Sequence, residues 1–288
     1  MEEGYFPRGR SVLRRVQGER AVGLMYGQRA LLIGALDARN YVGTAEHSRY
    51  RDQPFRRLVA TAKMFETVFF GSRAEADRVL AAVERMHGRV HGELPADGGA
   101  FPAGTPYSAF EPELMLWTVA VAADSSARFY ELLVRRMERD ELDRYWADWV
   151  RFGELFGMPR EVAPVGWDDF REWFDGRLAG AEMGLTEEAR HVGRGVAFRI
   201  PVPRVESPLM EVHHLILLGS LPPRVRELYG LGWDVAREVA FRATARAIRA
   251  GRPLSPRRLA RGRNTGRYDR TARIEAERIE AGRPPIPL

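Results

Sequence analysis

The middle of the chain contains a segment that is apolar on nearly all sides, and no other feature constrains the fold as strongly. Ten residues without a charge lie between Glu113 and Asp124, and the helical pattern that starts at Glu111 runs on to about Met137. A helix that is hydrophobic all round must be buried all round, so other elements have to surround it. The uncharged run is about half as long as a bilayer span. The segment is therefore interpreted as the core helix of a globular protein.

Helical periodicity extends over most of the remaining chain. Residues 9–53 contain no proline and are interpreted as one or two helices, and Pro54 then opens the next helix. Ser72 is suited to cap a helix over 74–91. Further helical patterns cover 140–156, 167–180, 186–195, 206–219, 222–229 and 234–250. The candidate strand at 196–200 lies among prolines and is expected to be an extended crossover. The sequence predicts an all-α fold, with a single large multi-helix domain.

The composition excludes several kinds of chemistry. The 288 residues include no cysteine, which rules out disulfides, cysteine-held zinc, iron–sulfur clusters and thiol catalysis. A metal would have to be held by His, Asp, Glu or a cofactor. The sequence also lacks a P-loop, a dinucleotide-binding glycine motif, a nucleophile elbow and a zinc-protease motif. The search for chemistry therefore turns to the six histidines.

The positive charge is concentrated at the C-terminal end. The net charge is +6, and residues 251–288 carry ten arginines against four acidic residues, so residues 1–250 are neutral overall. We predict a helical domain over 1–250 and a loose Arg-rich tail over 251–288, with a short helix at 270–281. The neutral body argues against specific nucleic-acid binding, whereas the tail is suited to peripheral contact with an acidic membrane. The start Met1–Gly4 lacks the features of a secretion signal, so a cytoplasmic location is expected.

Two histidines have the spacing of a ligand pair. His87 and His91 are four residues apart, so on the predicted helix both imidazoles would lie on one side. Such a pair can bind a metal, or one member can provide the axial ligand of a haem while its second nitrogen is held by a neighbouring acceptor. In the alternative interpretation, one imidazole faces the core and the other is solvated. His213 and His214 are adjacent on an apolar helix and cannot share a face, so they are interpreted as structural.

Arg57 and Thr61 form a second candidate pair. They are four residues apart and share a predicted helix face with Leu58 and Phe65, which directs the Arg57 guanidinium towards apolar surroundings. A buried guanidinium needs an anion, and a carboxylate, a haem propionate or a bound oxygen species would serve. Alternatively, Arg57 reaches solvent or pairs with an acid such as Asp52.

Short segments spread over about residues 10–250 share their order and spacing with one protein family. They are Gly43 to Tyr50 (GTAEHSRY), Asp52 to Leu58 (DQPFRRL) with Thr61, Phe70-Gly71, Arg85 to Gly92 (RMHGRVHG), Tyr107 to Pro112 (YSAFEP) with Leu116-Trp117, Asp124-Ser125, Gly157 to Pro159 and Leu221 to Trp233. Together they resemble the catalytic domain of the rubber oxygenases and MpaB-type oxygenases of bacteria and fungi.

The resemblance implies an all-α haem-b protein with a haem-sized internal pocket. Relatives use dioxygen to cleave carbon–carbon double bonds in isoprenoid chains, as in latex clearing and in the trimming of a farnesyl side chain. The family's iron ligand is a helix histidine that matches His87, with His91 as the competing assignment. The arginine and threonine of its distal pocket match Arg57 and Thr61. Glu46 is a candidate acid or base near the distal face.

Two positions depart from the family pattern. Rubber oxygenases have a lysine directly before the distal threonine, where this chain has Ala60, and many relatives have a histidine where it has Val119. The resemblance implies a haem-dependent oxygenase that acts with dioxygen on an unsaturated apolar substrate, isoprenoid-like or lipid-like. The alternative is a haem-free or catalytically divergent helical binding protein of the same fold.

Overall fold

The computed structural model describes residues 3–47 and 52–286, and the predicted all-α fold is confirmed. The helices of these residues are α1 (Val12–Gln17), α2 (Arg20–Gly34), α3 (Ala38–Glu46), α4 (Pro54–Phe70), α5 (Arg73–His87), α6 (Pro112–Leu133), α7 (Arg139–Leu155), α8 (Trp167–Ala179), α9 (Glu187–Phe198), α10 (Ser207–Ser220), α11 (Pro223–Leu228), α12 (Val235–Gly251), α13 (Arg257–Ala260) and α14 (Thr265–Glu280). The strands β1 (His91–Glu93) and β2 (Pro106–Ser108) form a small antiparallel hairpin.

Helix α6 is the centre of the fold, as its apolar sequence predicts. It begins with Pro112 in its first turn, followed by Glu113, whose negative charge suits a helix N-terminus. It packs against α2 along its length and also contacts α1, α7 and α12. Trp117 and Phe129 are fully buried on it. Each side chain of this kind stabilises the fold by roughly 1.5–3 kcal/mol on burial. Within the described residues, no helix is both long and apolar enough to cross a bilayer.

A buried ion-pair network joins α2 to α6. Arg29 donates to one oxygen of Asp124 and, over 3.0 Å, to Ser125 Oγ, and Arg171 of α8 donates to the other Asp124 oxygen. Burial alone would raise the pKa of Asp124, but the two guanidinium groups hold it below its usual value. Removing one partner of such a buried pair costs about 3–5 kcal/mol, because the remaining charge is left unpaired. The network thus fixes the position of α2, which forms part of the site described below.

The helix predicted over 74–91 is shorter in the structure. It starts as expected, with Ser72 Oγ accepting a hydrogen bond from Glu75 N, but it ends at His87 and is capped by Gly88. His91 instead begins strand β1, where it pairs with Ser108. The prediction that His87 and His91 share one side of a helix is therefore wrong. Glycine is a poor helix former, and the hairpin provides the backbone partners that a further helical turn would have supplied.

The candidate strand at 196–200 is mostly helical. Helix α9 continues to Phe198, and Val196 and Ala197 are fully buried on it. The strand preference of valine and phenylalanine is weak, and packing against the core outweighs it here. Residues 199–203 follow without regular structure, as expected for a segment that contains two prolines.

The C-terminal segment is packed against the body, so the expectation of a loose tail is wrong. Helix α14 lies against α4, and Tyr268 donates to the Gly23 carbonyl over 2.6 Å. Glu19, which is 1% exposed, accepts hydrogen bonds from Arg252 (2.7 Å) and Arg261 (2.6 Å). Arg252 and Arg261 of this segment thus pair with an acidic group of the body that is distant in sequence. The division of the chain at residue 250 stays a prediction.

Candidate functional site

The helices enclose a mostly apolar cavity of about 660 Å³. Its walls come from α2, α3, α4, α6, α10 and α14 and from the irregular segment at 200–203. Small-molecule sites commonly have volumes of roughly 300–1,000 Å³ and combine apolar walls with a few polar groups. The cavity therefore has the size and lining of a binding site for a small apolar molecule.

Helix α4 brings two of the predicted site residues, Arg57 and Thr61, into the cavity wall. The start of the helix is held by Glu275 of α14, which accepts hydrogen bonds from the backbone N–H groups of Phe55 (3.0 Å) and Arg56 (2.7 Å). Thr61 Oγ1 donates to the Arg57 carbonyl over 3.2 Å. The Thr61 hydroxyl therefore keeps its acceptor lone pairs for a ligand, since its proton is already engaged.

Arg57 provides a cation without a partner. Within residues 3–47 and 52–286, no acid or hydrogen-bond acceptor pairs with its guanidinium, and Asp52 does not do so. Burial lowers the pKa of Arg57, while Tyr41, Glu188 and Glu275 act in the opposite direction through space. Arginine keeps its proton under such conditions. The cavity wall thus offers a positive charge to an anionic group inside it.

His213 lies in the part of the wall that α10 contributes. Neither of its ring nitrogens has a hydrogen-bond partner in the described part of the chain. Burial, with a smaller contribution from His214, lowers the pKa of His213 to about 4, so the imidazole is neutral at neutral pH. His214 does not line this cavity and faces a separate, more open depression. A purely structural role for His213 leaves both nitrogens unexplained, because buried polar groups are normally hydrogen-bonded.

His87 is not among the residues that line the cavity. It is the last residue of α5, and its ring contacts that of Phe110 at a centroid distance of 5.9 Å. Its Nδ1 is buried and has no partner among the described residues. Burial lowers the pKa of His87, which favours the neutral imidazole that binds metals. His91, by contrast, is exposed on β1.

Glu46 ends α3, where it is exposed and outside the cavity wall. Tyr107 of β2 donates a hydrogen bond to Glu46 Oε2 over 3.2 Å, and His47 Nε2 lies 3.1 Å from the same hydroxyl. Burial, followed by the charge of Glu46, raises the pKa of Tyr107. This cluster joins α3 to the hairpin and does not place Glu46 beside Arg57. Residues 48–50 of the same motif lie outside the described residues.

The two departures from the family pattern do not add side chains to the cavity wall. Val119 lies close to Gly153 of α7, and neither it nor Ala60 lines the cavity. The neighbouring Thr118 does line it and accepts a hydrogen bond from Asn40 Nδ2 over 3.3 Å. At this turn of α6 the cavity wall therefore carries a hydroxyl group.

The described residues contain no cluster of three or more His, Asp or Glu side chains that could hold a metal ion by themselves. A haem needs fewer protein ligands than a bare metal ion, since one axial nitrogen can bind its iron. His87 and His213 both present a buried ring nitrogen without a partner among the described residues.

The sequence pattern predicts Arg57 and Thr61 as site residues but assigns His213 a structural role and not a place in the wall. A signal was present, because His213 lies in a helix that is otherwise rich in leucine and isoleucine. A polar side chain on such a face needs a partner. The resemblance implied an internal pocket, but the residues of its wall could not be foreseen from local patterns, because the wall depends on how α10 packs relative to α2 and α4.

Comparison with known proteins identifies a family. The sequence profile described as ER-bound oxygenase mpaB/B'/Rubber oxygenase, catalytic domain, matches residues 14–250. The chain is also similar to the uncharacterized proteins Mb2261 of Mycobacterium bovis and Rv2237 of Mycobacterium tuberculosis. Each is 24% identical over 207 residues, which cover 71% of this chain and 77% of the relative. No solved structure matches the chain. Because the profile spans most of the sequence, the chain belongs to the family of mpaB and rubber oxygenase catalytic domains.

Proposed function

We propose that this protein is a haem-b-dependent oxygenase that uses dioxygen to oxidise an unsaturated apolar molecule, either isoprenoid-like or lipid-like. Membership of the family supports oxygenase chemistry in general. The observation that carries the finer proposal is the cavity, whose mostly apolar wall contains the unpaired cation Arg57 beside Thr61. Apolar walls favour an apolar ligand, and the few polar groups among them orient it.

One residue, His87, has the chemistry that a haem ligand needs, although it does not line the cavity. The iron of a haem needs a neutral imidazole with an available nitrogen, and His87 has a pKa lowered by burial and an unpartnered Nδ1. We assign the iron to His87, which matches the histidine of the family motif, rather than to the exposed His91. Haem b, when bound, supplies the redox chemistry that activates dioxygen.

Arg57 stabilises negative charge that develops in the cavity during the reaction. A fixed cation acts strongly in an apolar site, because little water is present to screen it and no reorganisation is needed. Thr61 offers acceptor lone pairs one turn along the same helix. Glu46 is exposed and outside the wall, so we assign it no contact with the substrate.

A haem-free binding protein of the same fold is the second candidate. One observation favours it, since His87 is not part of the cavity wall and the cavity could hold an apolar molecule by itself. The cytoplasmic location and the peripheral membrane contact stay predictions.

Arg57→Ala tests the oxygenase. Oxygen uptake by the haem-loaded protein is measured with an unsaturated apolar substrate such as squalene. The variant should keep its haem spectrum but lose about 100- to 1000-fold in rate, the usual cost of about 2.7–4 kcal/mol for one missing charge-stabilising donor. Thr61→Ala should lose less. Arg56→Ala, an exposed arginine on the same helix, is the matched control and should retain the rate.

Two results would contradict this assignment. If Arg57→Ala fails to incorporate haem, Arg57 is a propionate partner and not a charge-stabilising group in the reaction. If the wild-type protein takes up no oxygen with any unsaturated lipid tested, the binding protein is the better account.

A further inference from the structure

His213 is a buried polar group in the cavity wall that the oxygenase chemistry leaves without a role. Both ring nitrogens lack a hydrogen-bond partner among the described residues, although the ring belongs to a folded helix and is not at an end of the chain. Native structures rarely leave buried donors and acceptors unpaired, because each such group loses its water without compensation. The His213 side chain lines the cavity, so a small turn of the ring would bring a nitrogen to a ligand there and supply the missing partner.

The chemistry of that partner follows from the state of the imidazole. A neutral imidazole has one N–H donor and one bare nitrogen that accepts. A hydroxyl group can meet either nitrogen, since it both donates and accepts. The rest of the cavity is lined mostly by aliphatic and aromatic side chains, including Leu24, Leu31, Leu58 and Phe65. The remainder of the ligand should accordingly be apolar.

We propose that His213 binds a hydroxyl group of the ligand, so that the cavity takes an apolar chain bearing a hydroxyl and discriminates against the bare hydrocarbon. This inference rests on the proposed function, because it places the ligand in the same cavity. The two proposals give different roles to different residues. Arg57 on α4 stabilises charge during the reaction, whereas His213 on α10 selects and orients the molecule.

The test compares two ligands of equal chain length, nonanol and nonane, on the full chain. Their Kd values are obtained by displacement of the neutral fluorophore N-phenylnaphthylamine, and the quantity of interest is the ratio of the nonane Kd to the nonanol Kd. His213→Leu should lower this ratio roughly five- to tenfold, the size expected for one hydrogen bond in a buried site. His213→Gln keeps a donor and an acceptor and should retain most of the ratio.

His214→Leu is the matched control, since His214 is adjacent in sequence but does not line the cavity, and it should leave the ratio unchanged. A ratio that is equal in the wild type and in His213→Leu would overturn the proposal. Far-UV circular dichroism checks folding, and His213→Phe, which also lacks ring nitrogens, replaces the leucine variant if that one does not fold.

Haem content measured on the same samples separates the two proposals. If the protein binds no haem but His213→Leu lowers the ratio of the two Kd values, the role of His213 is supported and the haem-dependent function is contradicted. Haem-loaded, oxygen-consuming protein whose ratio does not change contradicts the role of His213 alone.

Discussion

At the scale of single residues, Arg57 and His213 illustrate two responses to burial in an apolar wall. Burial lowers the pKa of both, but arginine starts so high that it stays charged, whereas histidine becomes neutral. Neither has a side-chain partner within the described part of the chain. The cavity thus combines a fixed positive charge with a neutral donor and acceptor, which suits a polar reaction on an otherwise apolar molecule.

His213 should make the folded state sensitive to mild acid. Its pKa is about 4 in the folded protein against an ordinary value of 6.5, so the unfolded chain takes up the proton first as the pH falls. The contribution of the neutral imidazole to the free energy of unfolding is therefore fully present above about pH 6.5. It is lost as the pH falls to about 4, and the loss is at most about 3 kcal/mol. Urea unfolding of the wild type and of His213→Gln at several pH values measures it.

The expected result is a free energy of unfolding that falls less steeply with acid in His213→Gln than in the wild type. His191→Gln, at an exposed position on α9, serves as the control and should follow the wild type. Identical slopes for the wild type and His213→Gln would show that the imidazole is not held neutral by burial.

The sequence predicted some site residues and misplaced others for identifiable reasons. Arg57 and Thr61 were found because the four-residue spacing holds throughout a long, regular helix. The same spacing failed for His91, because Gly88 ends the helix between the two histidines. The position of His213 next to His214 on an apolar helix predicted a structural role, whereas the surroundings of His213 are set by residues far away in sequence.

At the scale of secondary-structure elements, the C-terminal helix α14 supports the helix that carries Arg57. Glu275 is fully buried on α14 and accepts from two backbone N–H groups at the start of α4. This contact joins elements that are far apart in sequence, so the local charge pattern of the tail could not reveal it. An Arg-rich segment without an apolar stripe predicted a solvated tail. Contacts with residues far away in sequence hold this segment against the body instead.

Glu275→Ala should destabilise the protein by about 1–3 kcal/mol, because it leaves two N–H groups at the start of α4 without an acceptor. Glu275→Gln keeps an acceptor oxygen and should recover part of the loss. Glu280→Ala changes an exposed glutamate on the same helix and is expected to have little effect. Chemical unfolding measures all three. Equal stability of Glu275→Ala and Glu280→Ala would mean that α14 does not hold the start of α4.

At the scale of the whole molecule, the apolar run of α6 predicted the architecture correctly. A helix that must be buried all round needs a shell of other helices, and the structure provides that shell. The resemblance implied an internal pocket but not its lining. The walls combine six helices, and their relative packing is set by side-chain shape and by pairs such as Arg29 with Asp124. The family profile covers this helical body and so supports oxygenase chemistry for it.

The central claim is that this helical body is a haem protein whose iron is held by His87. The most direct measurement is the absorption spectrum, with a pyridine haemochrome assay, of the full chain purified after expression with a supply of haem. We predict a Soret band and about one haem b per chain for the wild type and for His91→Ala, and loss of the haem in His87→Ala with an unchanged far-UV spectrum. A wild type without haem, or a His87→Ala variant that retains it, would contradict the account.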